Sequence, residues 1–457
     1  MRLTAAELAQ ASQGVWRKAA PHSMIQHIGT DTRQFVANSA FLALRGPSFD
    51  GHEHAAAVAD QACVLIGDAL GMQHWQVLDC PQLEVADTLV ALGDIATLHR
   101  QSLLQTRVIA LTGSYGKTTV RDMLAHVLTG LGVNVAATKA NLNNLIGVPK
   151  TLLDVPSTAD VALIECGISE QGEMARLSEI VQPDIAIITG LSHAHAQGLG
   201  DLNGVAQEKA QLMTHLLPQG WCLLAEGVAD VFQEAGCVMT HPTLNMDDAT
   251  NVGWSLVGHK LTLKHENQAY TLNLTLPAAH WAANMALVAT AVFKLGTEMG
   301  KSWSLADMGQ LLQTWQAVPG RMSVHPANAE QPFTLIDDGY NANPASMQAA
   351  LDTLAALPGV RVAVLADMLE LGEASSVYHR DLDVADIEHL LLLGEEMAIL
   401  KDKYPRAVCF SDVEALQTWL QQHADIYQQS SVLCKGSRGM RLDKVVDMML
   451  KRGVYAV

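Results

Sequence analysis

Short apolar runs alternate with amphipathic helical stretches through the middle of this chain. The run 108–111 is followed by apolar residues that recur every three or four positions over 120–131, and the runs 161–164 and 185–188 are separated by a helical stretch over 173–181. Parallel strands need long crossover connections, which are usually helices. The alternation therefore predicts an α/β fold with a doubly wound parallel sheet, and its return over 333–434 predicts a second α/β unit.

Two breaks in the pattern divide the chain. A polar stretch over 101–105 precedes the first strand of the middle region, and Pro319-Gly320 interrupts a helical pattern. A chain of 457 residues is long enough for two to four domains of about 100–200 residues each. We predict three domains, over residues 1–104, 105–318 and 319–457.

Charge and cysteine content exclude several classes of protein. The chain has 29 Lys+Arg and 47 Asp+Glu, a net charge of −18, which argues against a nucleic acid or an anionic membrane as the main partner. Its seven scattered cysteines show no CxxC spacing, as is typical of a reduced compartment. No run of 18 apolar residues and no secretory pattern occurs. We expect a cytoplasmic protein with no membrane segment.

A glycine-rich loop carries the strongest chemical signal. Gly113 and Gly116 let backbone N–H groups approach a polyphosphate, Lys117 adds positive charge, and the Thr118 hydroxyl can hold Mg²⁺. Leu111 occupies the position of the first glycine in the longer form of this motif. A chance glycine-rich turn is the alternative, but a predicted strand before the loop and a helix after it favour ATP or GTP binding. The expected phosphate-binding residues are Gly113, Ser114, Gly116, Lys117, Thr118 and Thr119.

Other polar residues follow the next predicted strands. Glu165 ends the run 161–164, and His193 and His195 come after the run 185–188. Ligands collect beyond the carboxyl ends of parallel strands, so Glu165 and one histidine could complete a divalent-metal site beside the phosphate loop. Each could instead cap a helix or lie on the surface.

Lys209 falls in the apolar stripe of a predicted helix that starts at Leu202. Such a lysine usually extends its amine to solvent, and this is the commoner interpretation. If the amine is instead buried, reaction with CO₂ would make it a carbamate anion able to hold a second metal.

Motifs along the whole chain, in order, resemble those of the Mur ligases. They are 112–118, 141–149, Glu165 with Gly172-Glu173, His195, the helix bearing Lys209, Gly320-Arg321, 337–344, 367–372 and 435–440, with 30–33, 41–46 and 49–52 in the first segment. The resemblance implies a small α/β domain that binds a UDP-linked substrate, a central P-loop domain with a doubly wound sheet, and a Rossmann-like C-terminal domain that closes over nucleotide and acceptor.

The resemblance also implies an activity. Mur ligases join a carboxylic acid to an amine through an acyl phosphate and convert ATP to ADP. The motifs are most similar to those of the enzymes that add D-alanyl-D-alanine to UDP-N-acetylmuramoyl-tripeptide in cytoplasmic peptidoglycan synthesis, which supports the cell wall, cell shape and cell division. The implied cofactors are ATP, two Mg²⁺ ions and a carbamylated lysine, and the expected state is a monomer.

Roles for individual residues follow from the same resemblance. The implied catalytic residues are Lys117, Lys209, Arg321 and His195; Thr118 and Glu165 would hold one Mg²⁺, and His195 and carbamylated Lys209 the other. The implied nucleotide-binding residues outside the phosphate loop are His280, Asn284, Asp338, Tyr340, Asn341 and Asn343. The implied substrate-binding residues are Thr32, Arg33, Gly46, Asp50, Asn141, Asn143 and Asn144.

Several positions depart from the usual family pattern, among them Ala225-Glu226-Gly227, which replaces an Asn-Ala-Asp stretch. Trp281 replaces an asparagine of the adenine-side motif, Gly190 replaces another asparagine, and Ala140 and Ala366 replace glycines. These departures leave two alternatives open: a diverged ligase that joins a different acid and amine in specialised metabolism, and a catalytically silent scaffold.

Overall fold

In this computed structural model, which describes residues 1–193 and 196–452, three main sheets follow one another along the chain. The strands before residue 90 are β1 (Val15–Trp16), β2 (Ile28–Gly29), β3 (Ala40–Leu42), β4 (Arg45–Gly46), β5 (Phe49–Asp50), β6 (Val64–Asp68) and β7 (Gln82–Val85). Five of them form a sheet in the order β1-β7-β6-β3-β2, in which only the β1-β7 pair is antiparallel. Strands β4 and β5 form a separate hairpin. The helices of this part are α1 (Ala5–Ala11) and α2 (Thr88–Ser102).

The central sheet is parallel throughout. Its strands are β8 (Arg107–Thr112), β9 (Val135–Ala137), β10 (Val161–Glu165), β11 (Ile185–Ile188), β12 (Trp221–Leu224) and β13 (Thr243–Asn245). They run in the order β13-β12-β11-β8-β10-β9. An antiparallel sheet follows, made of β14 (Gly253–Val257), β15 (Lys260–His265) and β16 (Gln268–Asn273). The helices are α3 (Lys117–Gly130), α4 (Gly147–Asp154), α5 (Glu173–Val181), α6 (Ala196–Leu199), α7 (Leu202–Ala210), α8 (Val228–Glu234), α9 (Ala279–Glu298) and α10 (Leu305–Thr314). The predicted doubly wound sheet is confirmed.

The last sheet has the second predicted α/β arrangement. Its strands are β17 (Ser323–His325), β18 (Thr334–Asp338), β19 (Val360–Ala366), β20 (His389–Leu393), β21 (Val408–Phe410) and β22 (Ser430–Lys435), in the order β17-β18-β22-β19-β20-β21. Only β17 runs antiparallel to its neighbour. The helices are α11 (Pro344–Ala355), α12 (Ser375–Arg380), α13 (Leu400–Lys403), α14 (Val413–Gln422) and α15 (Asp443–Arg452).

The central sheet separates two hydrophobic cores. Along β8, Ile109 and Leu111 face one core, while Val108 and Ala110 face the other, because successive side chains of a strand point to opposite faces. The first core continues into the last sheet, and the second continues into the first sheet. The three parts of the chain are therefore joined by continuous apolar packing.

Helix α2 connects the first sheet to the central one. It packs against α4 and α5, and the Arg100 guanidinium pairs with the Asp184 carboxylate at 2.8 Å. Helix α2 thus precedes residue 104 but packs against the central unit. The predicted division of the chain at residues 104 and 318 stays a prediction. None of the helices within 1–193 and 196–452 has both the length and the apolar character that a membrane crossing needs.

Candidate active site

A cavity of about 680 Å³ opens beyond the carboxyl ends of β8 and β10, between the central sheet and the last sheet. Its wall contains many of the residues that the sequence predicted for nucleotide, metal and substrate. They are Ser114, Gly116, Lys117, Thr118, Thr119, Asn141, Asn143, Asn144, Glu165, His280, Asn284, Arg321, Asp338, Tyr340, Asn341 and Asn343. Residues separated by more than 200 positions thus share one site.

The phosphate loop joins β8 to α3. Gly113 has a φ of +154° and lies so close to β11 that a Cβ there would be 2.3 Å from the Thr189 hydroxyl oxygen. Gly116 has a φ of +83° and starts α3. Lys117 Nζ donates to the Gly113 carbonyl at 2.6 Å. Desolvation lowers the pKa of Lys117, against the attraction of Glu165. The loop thus offers open backbone donors and a cation held in place for a phosphate chain.

Glu165, at the end of β10, is 1% exposed and bound by three side chains. The Thr118 hydroxyl donates to its oxygens at 3.1 and 3.2 Å, and Asn143 Nδ2 donates at 2.9 Å. Arg121 Nη1 forms an ion pair with it at 2.9 Å. The hydroxyl and carboxylate oxygens that were predicted to hold Mg²⁺ therefore lie side by side in the cavity wall.

Lys209, on α7, is 1% exposed, so the commoner expectation of a solvent-facing amine is wrong. Burial lowers the pKa of Lys209 well below its ordinary value, and the nearby Lys117 cation lowers it further. No hydrogen-bond or ion-pair partner of its amine lies within 1–193 and 196–452. Predicted metal ligand His195 lies outside the described residues. His193 packs against the ring of Tyr378 at a tilt of 33°, with 5.1 Å between ring centroids.

The last sheet contributes the opposite wall of the cavity. Asn343 caps α11 and donates from Nδ2 to the Ser114 carbonyl of the phosphate loop at 3.1 Å. The Arg321 guanidinium lies 4.1 Å from the centre of the Tyr340 ring. Of the residues predicted in this segment, Asn343 therefore contacts the phosphate loop directly.

Asp338, expected to bind the nucleotide, lies in this wall as part of a buried ion pair. Lys435 Nζ is 2.5 Å from its Oδ2, and the Met322 N–H donates to its Oδ1 at 3.0 Å. Burial raises the pKa of Asp338, although the Lys435 cation acts in the opposite direction.

The predicted adenine-side motif begins α9. His280 faces the cavity, and desolvation lowers its pKa to about 4, so the imidazole is neutral near pH 7. Trp281, one of the departures, is 4% exposed and packs edge-on against Trp315 with 5.4 Å between centroids. Its ring belongs to the hydrophobic core and also lines the cavity, so this departure lies where it can contact a bound ligand.

The predicted substrate-binding residues of the first segment form a separate group outside this cavity. Thr32 begins a short 3₁₀ turn, and Arg33 pairs with Asp31 at 2.7 Å. Asp50 contacts Arg45 at 2.8 Å and His52 at 2.6 Å. Burial would raise the pKa of Asp50, but its hydrogen bonds with His52 and Arg45 lower the pKa to about 2. A Cβ on Gly46 would lie 2.4 Å from the Phe49 ring.

Sequence reasoning missed three side chains of the cavity region. Arg121 lies one helical turn after Lys117, a spacing that could have indicated a second cation beside Glu165. Lys435 is the last residue of β22, and its partner Asp338 is the last residue of the neighbouring strand β18. Tyr115 lines the cavity from the phosphate loop, and only tertiary structure shows what its ring contacts.

Comparisons with known proteins agree with this geometry. The protein-family model of the Mur ligase middle domain matches residues 111–292. The family model of the Mur ligase glutamate ligase domain matches residues 320–438. The UDP-N-acetylmuramoyl-tripeptide--D-alanyl-D-alanine ligase of Escherichia coli K12 is 35% identical over 93% of this chain and 94% of its own length. The enzyme of the same name from Haemophilus influenzae is 32% identical over 92% of this chain and 93% of its own length.

Solved structures show the same relationship. A crystal structure of MurF from Acinetobacter baumannii, 31% identical, covers 98% of this chain and 99% of its own with a TM-score of 0.86. MurF ligase from Thermotoga maritima in complex with ADP has the same fold, with a TM-score of 0.80 at 21% identity over 94% of this chain and 99% of its own. From the two matching family models and the relatives that align with more than nine-tenths of the chain, it follows that this chain belongs to the Mur ligase family.

Proposed function

We propose that this protein is a cytoplasmic, ATP-dependent and ADP-forming ligase that adds D-alanyl-D-alanine to UDP-N-acetylmuramoyl-tripeptide. Relatives with this activity in their names align with more than nine-tenths of the chain. The observation that carries the proposal is the contact of two segments at one cavity. Lys117 comes from the phosphate loop, Arg321 lines the opposite wall, and Asn343 joins that wall to the loop.

The chemistry requires several anions to meet. A carboxylate oxygen of the tripeptide bonds to the γ-phosphorus of ATP, the bond to the bridging oxygen breaks, and ADP leaves. The amine of D-alanyl-D-alanine then bonds to the acyl carbon, the carbon–oxygen bond to phosphate breaks, and the amine loses a proton. Lys117 and Arg321 would neutralise the phosphate oxygens in the first step, where electrostatic stabilisation lowers the barrier more than any other effect.

The residues present fit a magnesium ion beside the phosphates. Thr118 and Glu165 supply the hard oxygen ligands that Mg²⁺ prefers, and both line the cavity. Mg²⁺ bound there would neutralise phosphate charge. Arg121 balances part of the Glu165 charge and orients the carboxylate toward Thr118.

Lys209 fits the proposed carbamate for a chemical reason. Only an unprotonated amine reacts with CO₂, and burial holds the pKa of Lys209 far below its ordinary value. In that reaction a nitrogen–carbon bond forms and a proton passes to water. The resulting anion, together with His195, would hold the second Mg²⁺, and its charge would relieve the repulsion between the Lys209 and Lys117 amines.

The two ends of the substrates would occupy different parts of the chain. Thr32, Arg33, Gly46 and Asp50 would bind the UDP end, and Asn141, Asn143 and Asn144 the peptide end near the cavity. His280, Asn284, Asp338, Tyr340 and Asn341 would surround the nucleoside and the acceptor. We expect the protein to act as a monomer.

A coupled phosphate-release assay tests the proposal. Purified protein with ATP, Mg²⁺, UDP-N-acetylmuramoyl-tripeptide and D-alanyl-D-alanine should release phosphate and form an amide product visible by mass spectrometry. Omission of either substrate or the change Lys117→Ala should abolish product. A protein that forms no product with all components present would refute the proposal, and faster turnover on other amines would favour the diverged ligase.

A further inference from the structure

The ring of Tyr115, in the phosphate loop, lies directly against Gly190. A Cβ on Gly190, which follows β11, would be 2.5 Å from Cε2 and Cζ of the Tyr115 ring and 2.8 Å from its hydroxyl oxygen. Gly190 also has a φ of +151°. The phenol therefore occupies the space that any side chain at position 190 would need, including the asparagine usual in the family.

The backbone around Tyr115 is held from two sides. The Ser114 N–H donates to the Gly190 carbonyl at 2.8 Å, and the Thr189 hydroxyl donates to the Tyr115 carbonyl at 2.5 Å. Asn343 donates to the Ser114 carbonyl from the opposite wall. With its backbone fixed and its ring against Gly190, the phenol has a defined position.

The hydroxyl of Tyr115 is available to a ligand. Tyr115 lines the cavity, and its hydroxyl has no hydrogen-bond partner within 1–193 and 196–452. Desolvation raises the pKa of Tyr115, so the phenol stays protonated at neutral pH and can donate. A half-buried hydroxyl without a partner gains most from an anionic acceptor.

The position along the cavity indicates which anion it meets. His280 and Asn284 of α9 line the part of the cavity assigned to the nucleoside, whereas Tyr115 is two residues before Lys117, the side chain expected at the β- and γ-phosphates. Tyr115 contacts the β11 side of the loop, opposite the β10 side that carries Glu165. The far end of the phosphate chain is therefore within its reach.

We propose that the Tyr115 hydroxyl is a further phosphoryl-binding group, which donates a hydrogen bond to an oxygen of the terminal phosphoryl group while that group passes from ATP to the substrate carboxylate. This inference rests on the proposed ligase function. Gly190 is its structural partner, since only glycine leaves room for the phenol.

Tyr115→Phe tests the inference because it removes the hydroxyl and keeps the ring over Gly190. Loss of a hydrogen bond to a charged acceptor should lower kcat for ligation about tenfold or more. ADP lacks the terminal phosphoryl group, so its dissociation constant should stay within twofold of the wild-type value, as should the KM for ATP. Tyr427→Phe, a buried tyrosine whose hydroxyl donates to the Leu420 carbonyl, is a matched control expected to keep full kcat.

An exchange variant separates the hydroxyl from the packing. Gly190→Asn alone should lose most activity because of the clash with the ring, and Tyr115→Ser with Gly190→Asn should recover part of it by returning an amide donor to an opened space. The inference is overturned if Tyr115→Phe keeps wild-type kcat, if its ADP affinity falls in parallel with kcat, or if the double variant is no better than Gly190→Asn. A wild-type protein without ligase activity would instead refute the proposed function.

Discussion

Replacing Asn343 with aspartate separates two contacts made by one side chain. Its Oδ1 accepts the Ser346 N–H at 2.9 Å and caps α11, while its Nδ2 donates to the Ser114 carbonyl at 3.1 Å. Aspartate is as good a helix cap as asparagine, so the fold should keep its stability within about 0.5 kcal/mol. The donor to the phosphate loop is lost and a negative charge takes its place.

The lost donor and the added charge both weaken catalysis, and we add their free-energy costs. A neutral hydrogen bond contributes about 1 kcal/mol. A carboxylate about 8 Å from a phosphate charge costs about 2 kcal/mol at an effective dielectric constant of about 20, less where salt screens it. A total of about 2–3 kcal/mol corresponds to a fall in kcat/KM of about 30- to 150-fold.

Asn343→Ser is the control, because serine also caps helices but is too short to reach the loop and adds no charge. It should lower kcat/KM only about fivefold. The measurements are initial rates of phosphate release at varied ATP concentration and thermal unfolding of each variant. If Asn343→Asp has kcat/KM within threefold of the wild-type value at unchanged stability, the contact between the last sheet and the phosphate loop has no role in catalysis.

Three further changes test other parts of the structure. Lys435→Met leaves the Asp338 carboxylate buried without its cation and should lower the free energy of unfolding, measured by urea titration, by about 3–5 kcal/mol. Adding Asp338→Asn should restore most of that loss. Equal stability of the single and double variants would contradict this expectation. The folded-state pKa of His280 is lowered from 6.5 to about 4, so the unfolded chain binds the proton first and the free energy of unfolding falls as the pH drops from 6.5 to 4. His280→Gln should make the unfolding midpoint depend less steeply on pH over this range. An unchanged pH dependence would refute the assignment. Arg100→Met removes one cation from the half-buried Asp184 and should cost about 2 kcal/mol of unfolding free energy, because a second arginine remains nearby. A neutral effect on the urea midpoint would show that this ion pair does not hold α2 to the central unit.

The predicted elements and the position of the phosphate loop followed from local patterns. Apolar periodicity distinguishes strands from helices, and a glycine-rich stretch between a strand and a helix is typical of a phosphate-binding loop. The helix over 173–181 agrees with the structure for this reason, since apolar periodicity depends on residues within one or two turns. The resemblance to the family then named residues for the cavity that spacing alone could not connect.

Tertiary structure decided what those side chains touch. Spacing favoured an exposed Lys209, but packing around α7 buries its side chain. The resemblance placed Trp281 in the adenine-side motif, and packing buries most of its ring while leaving it in the cavity wall. The ion pair of Arg121 with Glu165 spans 44 positions and the contact of Asn343 with Ser114 spans 229. Such distances depend on how helices and sheets pack against one another, which no local sequence pattern contains. The sequence by itself determined which chemical groups this protein has and on which elements they lie, and only the packing of its sheets decided which of them face one another.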